Sequence, residues 1–135
     1  MSWTDQFVGI PYGQFNCWAL VRHVLREQFG VTVPSYDGDY ADEEEAAEIA
    51  DLIYRERSHW IVIGHGLSER QRFRAGDVIH TYLLRPREPS HVGVIVDAER
   101  MLHTRAKTGS IIEHYTKPFW SRRVVGVYRH PELAG

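Results

Sequence analysis

Residues 16–30 read Asn-Cys-Trp-Ala-Leu-Val-Arg-His-Val-Leu-Arg-Glu-Gln-Phe-Gly, and this stretch predicts the first helix of the fold. Asn16 stands where an N-cap residue is expected, and Gly30 is the residue type that commonly follows the last turn of a helix. Between them the apolar residues recur with the spacing of one helical face, at Cys17, Leu20, Val21, Val24, Leu25 and Phe29. The stretch therefore predicts an amphipathic helix that buries one side, with Cys17 in its first turn.

A second helix is predicted over about residues 41–57. Carboxylates crowd its first turns and arginines its last, an arrangement that the helix dipole favours. These residues are Asp42, Glu43, Glu44 and Glu45 at the start and Arg55 and Arg57 at the end, with Ala46, Ile49, Ala50 and Ile53 forming the inward face. We interpret the acidic run as an exposed face that stabilises the helix, the alternative being a metal site.

From residue 60 onward the sequence changes to short β-branched runs separated by turn residues, which is typical of strands. The predicted strands are 60–63, 77–84, 92–96, 101–104, 110–113 and 123–129. Parallel strands would need crossover helices for which this region has no room, so the spacing predicts an antiparallel meander. The expected fold class is α+β, a single domain over residues 1–135 with helices in front of a sheet.

The composition is that of a globular protein with a substantial core. Of the 135 residues, 43% are apolar, 12% aromatic and 25% charged, which excludes the disordered and low-complexity classes. No apolar run approaches the roughly 20 residues needed to cross a bilayer, so a membrane-spanning protein is not expected. The first residues lack a basic segment followed by an apolar run, so no signal peptide is expected and the chain is predicted to be cytoplasmic at synthesis. The net charge of −2 argues against nucleic acid as the main partner.

The charge is distributed unevenly between the two halves of the chain. Residues 1–69 carry 4 basic and 12 acidic side chains, whereas residues 70–135 carry 12 basic and 6 acidic ones. Fourteen of the 16 cations are Arg, whose forked guanidinium suits carboxylates. Two interpretations stay open: a solvated surface whose halves attract each other weakly, or a basic rim around a site for an anionic polymer or peptide.

Cys17 is the only cysteine, so an internal disulfide and a multi-thiolate zinc site are both excluded. A lone cysteine is commonly a small buried apolar residue. Cys17, however, stands in the first turn of the predicted helix, where backbone amides and the helix dipole favour a thiolate. It also follows the loop Gly9-Ile10-Pro11-Tyr12-Gly13, which leaves room for a substrate. These features make Cys17 a candidate nucleophile.

A nucleophilic thiol needs a base and a group that orients the base, and His91 and His103 are the candidates among eight histidines. In a hairpin with its midpoint at Asp97 they would be directly opposed, on one face of the sheet and facing the amino end of the Cys17 helix. Gly93, two residues from His91 on that face, would leave space against the packed helix. His91 is then expected to be the base and His103 the residue that orients it. A register shifted by one residue would put His103 on the other face.

Five stretches, in the same order along the chain, resemble the NlpC-type cell-wall cysteine peptidases. The nucleophile region of that family is similar to Gly9-Ile10-Pro11-Tyr12 followed by Phe15-Asn16-Cys17-Trp18-Ala19-Leu20-Val21. The other four stretches are Arg74-Ala75-Gly76-Asp77-Val78, Ser90-His91-Val92-Gly93-Val94-Ile95-Val96, Leu102-His103 and Val124-Val125-Gly126-Val127-Tyr128-Arg129. They resemble the start of the sheet, the histidine strand, the third polar member and the closing strand. The resemblance thus spans almost the whole chain.

The resemblance implies a papain-like core, in which the helix that carries the nucleophile packs on the antiparallel sheet. Cys17 would attack an amide carbonyl, His91 would activate the thiol and protonate the leaving amine, and His103 would orient His91. Tyr12 and Asn16 would line the site, with Tyr12 steadying the oxyanion beside the Cys17 backbone amide. Asn16 departs from the family, which has Asp before the cysteine, and so removes a charge. The resemblance implies no metal or cofactor.

The family's usual target, the γ-D-glutamyl–diaminopimelate bond of peptidoglycan stem peptides, is the substrate that the resemblance implies. The Cys-Trp-Ala-Leu-Val form, the short loop before Cys17 and the absence of a cell-wall-binding domain resemble the branch found in phage tails and gene transfer agents. We therefore expect an endopeptidase carried to the wall in a virion or similar particle, with tail proteins as partners. Two alternatives stay open: a structural tail component without turnover, and another thiol enzyme on the same core, such as an acyltransferase or a non-wall amidase.

Overall fold

The computed structural model describes residues 2–34, 46–83, 85–86 and 88–134, and for residues 46–49 it describes the backbone alone. Within these ranges three α-helices and six strands build an α+β fold, which confirms the predicted class. Short 3-10 turns at Trp3–Phe7, Leu67–Arg72 and Pro131–Leu133 complete the regular structure. In the described ranges, none of the helices has the length and apolar character that a membrane span requires.

The first helix, α1, spans Cys17–Phe29, as its apolar spacing predicts. Asn16 caps the amino end, because its side chain accepts a hydrogen bond from the backbone N–H of Ala19 at 3.0 Å. Gly30 ends the helix in the left-handed conformation, with φ of 69°, which favours glycine. Apart from Phe29, the predicted stripe is fully buried, so α1 faces the core as expected.

The second helix, α2, spans Ala46–Arg57. Its predicted acidic first turns fall on residues 41–45, which lie outside the described residues, as do the side chains at positions 46 and 49. Of the remaining predicted inward residues, Ala50 and Ile53 are buried. The described part of α2 therefore has the amphipathic character that the sequence predicts.

Six strands follow α2, and each overlaps a predicted one. They are β1 (Ile61–Gly64), β2 (Val78–Thr81), β3 (His91–Ile95), β4 (Arg100–Arg105), β5 (Gly109–His114) and β6 (Val124–Arg129). The strands form one antiparallel sheet in the order β1-β6-β2-β3-β4-β5. A short helix, α3 (Pro118–Ser121), lies between β5 and β6.

The strand order corrects the predicted meander at one point. Strands β2 to β5 do follow one another as a meander, but β6 returns across the sheet and pairs with both β1 and β2. Residues 126–129 of β6 are buried, and a central position gives their backbone N–H and C=O groups partners on both sides. The chain therefore crosses from one edge of the sheet to its middle through α3.

The sheet separates two layers of core. One side, the α1 face, consists of Val78, Val92, Val94 and Leu102, which pack with the buried residues of α1 and α2. The other side, the Trp120 face, consists of Ile79, Ile95, Met101 and Val127, which pack with Tyr115 and Trp120. Because side chains alternate along a strand, sequence neighbours lie on opposite faces. This alternation decides which face each candidate residue of β3 and β4 occupies.

A buried ion pair joins the start of β2 to the end of β6. Both carboxylate oxygens of Asp77 accept hydrogen bonds from the Arg129 guanidinium, at 2.7 and 2.8 Å. Asp77 also accepts from the backbone N–H of Arg74 at 2.9 Å, and Arg129 donates to the Arg72 carbonyl at 3.0 Å. The pair thus anchors the segment that leads into β2 to the strand that follows α3.

Candidate active site

Cys17 is the first residue of α1 and is 2% exposed. The first turn of a helix presents backbone N–H groups and the positive end of the dipole, and both stabilise a thiolate. The side chain of Asn16 satisfies the Ala19 N–H and holds this turn in place. Cys17 therefore occupies the helix position that the sequence predicts for a nucleophile.

The loop before Cys17 is tied to β5 by a serine and a glycine. The Ser110 hydroxyl accepts from the backbone N–H of Ile10 at 2.8 Å and donates to the carbonyl of Phe7 at 2.6 Å. At Gly109 φ is 68°, and a Cβ there would lie 2.7 Å from the Ile10 carbonyl oxygen, a contact that excludes any side chain. The segment that leads into α1 is thereby held against the β4–β5 hairpin.

His91 and His103 are brought together as the sequence predicts. His91 begins β3, His103 lies in β4, and the His91 Nε2 atom is 2.8 Å from the His103 Nδ1 atom. The rings are nearly perpendicular, and the two residues are 1% and 0% exposed. Helix α1 packs against both strands. The elements that carry Cys17 and the two histidines therefore adjoin one another.

The predicted register of this hairpin is wrong by two residues. Val94 pairs with Leu102, and the backbone of Val96 bonds to that of Arg100, so the midpoint of the turn is Ala98. The Asp97 side chain stabilises this turn by accepting hydrogen bonds from the backbone N–H groups of Glu99 and Arg100. Continued along the strands, this register sets His103 opposite Gly93. Because a shift of two residues keeps both rings on one face, the contact between His91 and His103 still forms.

The face of the rings also differs from the prediction. Val92 and Leu102 alternate with the two histidines and belong to the α1 face, so His91 and His103 lie on the Trp120 face. A Cβ on Gly93 would be 3.1 Å from the Cβ of His103, which shows that the space over Gly93 holds this histidine and not the packed helix. The two rings therefore do not face α1 across the sheet, and His91, as the first residue of β3, lies at the end of that strand.

Two further residues complete the cluster, and neither was predicted from the sequence. The His103 Nε2 atom is 2.7 Å from a carboxylate oxygen of Glu113 in β5. Trp120 of α3 stacks on the His91 ring at 5.3 Å and meets the edge of His103 at 5.1 Å. The signal for Glu113 was its place on the same face as Met101 and His103 in a hairpin with a short turn.

Burial and neighbouring charges set the protonation of the cluster. Burial lowers the pKa of His91 well below its usual range, and electrostatic interactions with His103 and Arg105 lower it further. The pKa of Glu113 is also lowered, chiefly by its hydrogen bond with His103. His91 is therefore neutral and Glu113 ionised near neutral pH. A neutral, buried imidazole that is linked through His103 to an ionised carboxylate has the properties of a general base.

The other two predicted site residues, Asn16 and Tyr12, lie in the segment that leads into α1. The side-chain oxygen of Asn16 is used in the helix cap, and Tyr12 lies half-buried in the loop tied to β5. Their contact with a substrate stays a prediction. Among the other histidines, His80 is buried in β2 and packs against Tyr128. Over the described ranges, no three His, Cys, Asp or Glu side chains are grouped as a metal site would require.

A basic pocket adjoins the cluster. It has a volume of about 310 Å³ and is lined by Arg105, Lys107, Thr108, Glu113 and Phe119. Phe119 is 50% exposed and forms an apolar wall. The pocket opens beside the carboxylate that contacts His103, so a ligand held in it lies next to the histidine pair.

Comparison with known proteins places these features in a family. Residues 5–129 match the NlpC/P60 family model. A Staphylococcus aureus subsp. aureus Mu50 structure described as similar to lipoprotein, NLP/P60 family, aligns with a TM-score of 0.60 at 19% identity. An NlpC/P60 family protein from Bacillus cereus ATCC 10987 aligns with a TM-score of 0.64 at 16% identity. Both alignments cover 92% of this chain but only 37% and 36% of those chains, so it spans just over a third of their length. No curated protein is significantly similar.

Proposed function

The chain belongs to the NlpC/P60 family, and we propose that it is a cysteine peptidase that cleaves the stem peptides of peptidoglycan. Members of this family are generally cell-wall peptidases. The observation that carries the proposal is the buried, hydrogen-bonded pair of His91 and His103, on two strands against which the Cys17 helix packs. A thiol, a base and a group that orients the base are the parts that covalent amide hydrolysis requires.

In the proposed reaction Cys17 is the nucleophile and His91 is the base. Nδ1 of His91 takes the thiol proton, and Sγ attacks the carbonyl carbon of the scissile amide. His91 then returns the proton to the leaving nitrogen, so that the C–N bond breaks and a thioester forms on Cys17. Water, deprotonated by His91, hydrolyses the thioester and restores the thiol. His103 orients His91 through its Nδ1 atom.

The oxyanion of each tetrahedral intermediate needs hydrogen-bond donors that are already in place. We propose the backbone N–H of Cys17, which lies in the first turn of α1, and the hydroxyl of Tyr12. The loop that carries Tyr12 is held through Ser110, and Asn16 holds the turn that carries Cys17. The two donors thus sit on anchored segments.

The proposed bond is the one between γ-D-glutamate and diaminopimelate. Both residues carry carboxylates that remain charged beside the scissile amide. The pocket lined by Arg105 and Lys107 offers two cations next to the histidine pair, and its Phe119 wall offers apolar contact for the peptide stem. This arrangement supports the interpretation of the Arg-rich half of the chain as a basic rim for an anionic peptide.

The proposed setting is a phage tail or a gene transfer agent. Support comes from the sequence form Cys17-Trp18-Ala19-Leu20-Val21 and from the loop of four residues between Tyr12 and Cys17, both of which resemble that branch. In this setting the particle carries the peptidase to the wall, and neighbouring tail proteins are its partners.

Digestion of purified muropeptides, with the products identified by mass spectrometry, tests the proposal. We expect the wild-type chain to cut between γ-D-glutamate and diaminopimelate and the Cys17→Ala variant to leave the peptides intact. A cut at another amide would replace the proposed bond with a different amidase specificity. No cut by a folded wild-type chain would favour the structural tail component, and cleavage by Cys17→Ala would refute the nucleophile.

A further inference from the structure

We propose that Glu113 is a positioning residue that sets the tautomers of both histidines, so that His91 presents an unprotonated Nδ1 to the thiol. The inference rests on the proposed function for its meaning, but its physical content can be tested without activity. It begins with an unbroken line of contacts from β5 to β3. Glu113 meets His103 at 2.7 Å, and His103 meets His91 at 2.8 Å.

The first step concerns the contact between Glu113 and His103. The low pKa of Glu113 keeps the carboxylate ionised, and an ionised carboxylate can only accept hydrogen bonds. The proton in this contact therefore belongs to Nε2 of His103. In the proposed resting state His103 is a neutral imidazole, which carries one N–H, so its Nδ1 atom is left as an acceptor.

The second step passes this direction on to His91. Since Nδ1 of His103 accepts, Nε2 of His91 must be the donor in the contact between the rings. The pKa of His91 is lowered well below its usual range, so its ring carries one proton only. That proton is on Nε2, and Nδ1 of His91 has a lone pair. The Glu113 carboxylate thus determines, through His103, which nitrogen of His91 carries the proton.

Packing keeps the rings in the orientation that this relay needs. Trp120 lies nearly parallel to the His91 ring, with 19° between the planes, and closes the same side of His103 edge-on. Gly93 leaves room for His103 on the neighbouring strand, since a Cβ at Gly93 would lie 3.1 Å from the Cβ of His103. Trp120 thus contacts both imidazole rings. A rotated ring would break the line of contacts.

Without the carboxylate, neither direction of the hydrogen bond between the two histidine rings is favoured. His103 could then carry its proton on Nδ1 and donate to His91, which would place the His91 proton on Nδ1. In that tautomer His91 cannot take the thiol proton. Glu113→Ala is therefore expected to mix the two tautomers, whereas Glu113→Gln keeps an oxygen acceptor and should retain more of the wild-type one.

Imidazole ¹⁵N NMR spectra of the resting protein test this directly. We expect Nε2 of His91 to be protonated and Nδ1 to be bare in the wild type, and Glu113→Ala to shift both signals toward averaged values. Glu99→Gln, an exposed change in the β3–β4 turn, serves as the matched control and should leave the spectra unchanged. A protonated Nδ1 in the wild type, or identical spectra for Glu113→Ala and the wild type, would overturn the proposal.

Kinetics on muropeptides then separate this inference from the proposed function. We expect Glu113→Ala to lower kcat by about tenfold or more, as loss of a residue that holds the base in its tautomer does, with a smaller change in KM. Glu113→Gln should recover part of kcat. If the wild type is active and Glu113→Ala does not change kcat, the positioning role of Glu113 is refuted but the proposed peptidase function is not. If the wild type is inactive but its spectra are as expected, the proposed peptidase function is refuted and the tautomer assignment is retained.

Discussion

Asn16 shows how an uncharged side chain can serve where the related peptidases have an aspartate. Its amide oxygen accepts from the Ala19 N–H and caps α1, which requires an acceptor but no charge. A carboxylate beside Cys17 would oppose formation of the thiolate by like-charge repulsion. Asn16 therefore keeps the cap and leaves the electrostatics of the first turn to the helix dipole.

Removal of the Asn16 cap is expected to destabilise the protein. Asn16→Ala should lower the free energy of unfolding by about 1 kcal/mol, because the Ala19 N–H loses its partner. Asn16→Asp keeps an acceptor at the same place and should stay close to the wild type. Urea unfolding followed by circular dichroism measures both, and an equal loss in the two variants would show that the cap is not the cause.

At the same scale, the sequence could identify the residues with local signals and not those that depend on contacts made by the fold. Cys17 has a helix start before it, and His91 and His103 stand in strand patterns that resemble family motifs. Glu113 has only the weaker signal of strand alternation, which needs the register of β4 with β5, and Trp120 has none, because its contact with the histidines requires the return of the chain through α3. The contact between His91 and Trp120 joins residues 29 positions apart.

At the scale of elements, the helices and strands follow from short-range patterns, but their pairing does not. The start and the end of α1 were predictable because Asn16 and Gly30 act on adjacent backbone groups. The turn at Asp97 was placed one residue too early, since the sequence does not show that its carboxylate bonds two amides. The position of β6 between β1 and β2 depends on burial of its backbone, which spacing alone does not reveal.

The buried ion pair between Asp77 and Arg129 is expected to contribute strongly to the free energy of unfolding. Arg129→Ala should lower the free energy of unfolding by about 3 kcal/mol, because the Asp77 carboxylate is left buried without its guanidinium. Arg100→Ala is the matched control, since Arg100 makes a similar two-nitrogen contact to Asp97 but both side chains are partly exposed. Its loss should be within about 1 kcal/mol.

Denaturant unfolding of the two arginine variants makes the comparison. Similar losses in Arg129→Ala and Arg100→Ala would contradict the importance of burial. The full-length chain is used in both cases, with total helix content checked by circular dichroism before unfolding.

At the scale of the whole molecule, the buried histidines make stability depend on pH. His80 packs against Tyr128 in β2, and its Nδ1 atom has no hydrogen-bond partner among the described residues. Burial, with a smaller effect of the Arg57 charge, lowers the pKa of His80 to about 3 from an ordinary value of 6.5. His91 shifts in the same direction, also chiefly through burial. The folded state therefore resists protonation that the unfolded state accepts.

We expect the free energy of unfolding to fall as the pH drops from 6.5 toward 3. In this range the unfolded chain binds more protons than the folded one, so each such histidine contributes a slope of up to about 1.4 kcal/mol per pH unit. Above 6.5 both states are neutral at these positions and the effect vanishes.

Denaturant unfolding across this pH range, for the wild type and two variants, measures the slope. His80→Gln should flatten it, and His114→Gln, a change at an exposed residue of β5, should not. A slope in His80→Gln equal to that of the wild type would contradict the lowered pKa of His80 in the folded state.

The central claim, that His91 activates the Cys17 thiol, is tested most directly by the rate at which iodoacetamide alkylates Cys17 as a function of pH. We predict fast alkylation of the wild type below the usual thiol pKa of about 8.5, and a clear loss of this low-pH reactivity in a folded His91→Gln variant, while His114→Gln behaves as the wild type. Equal pH profiles for the wild type and His91→Gln, both following an ordinary thiol, would contradict the account.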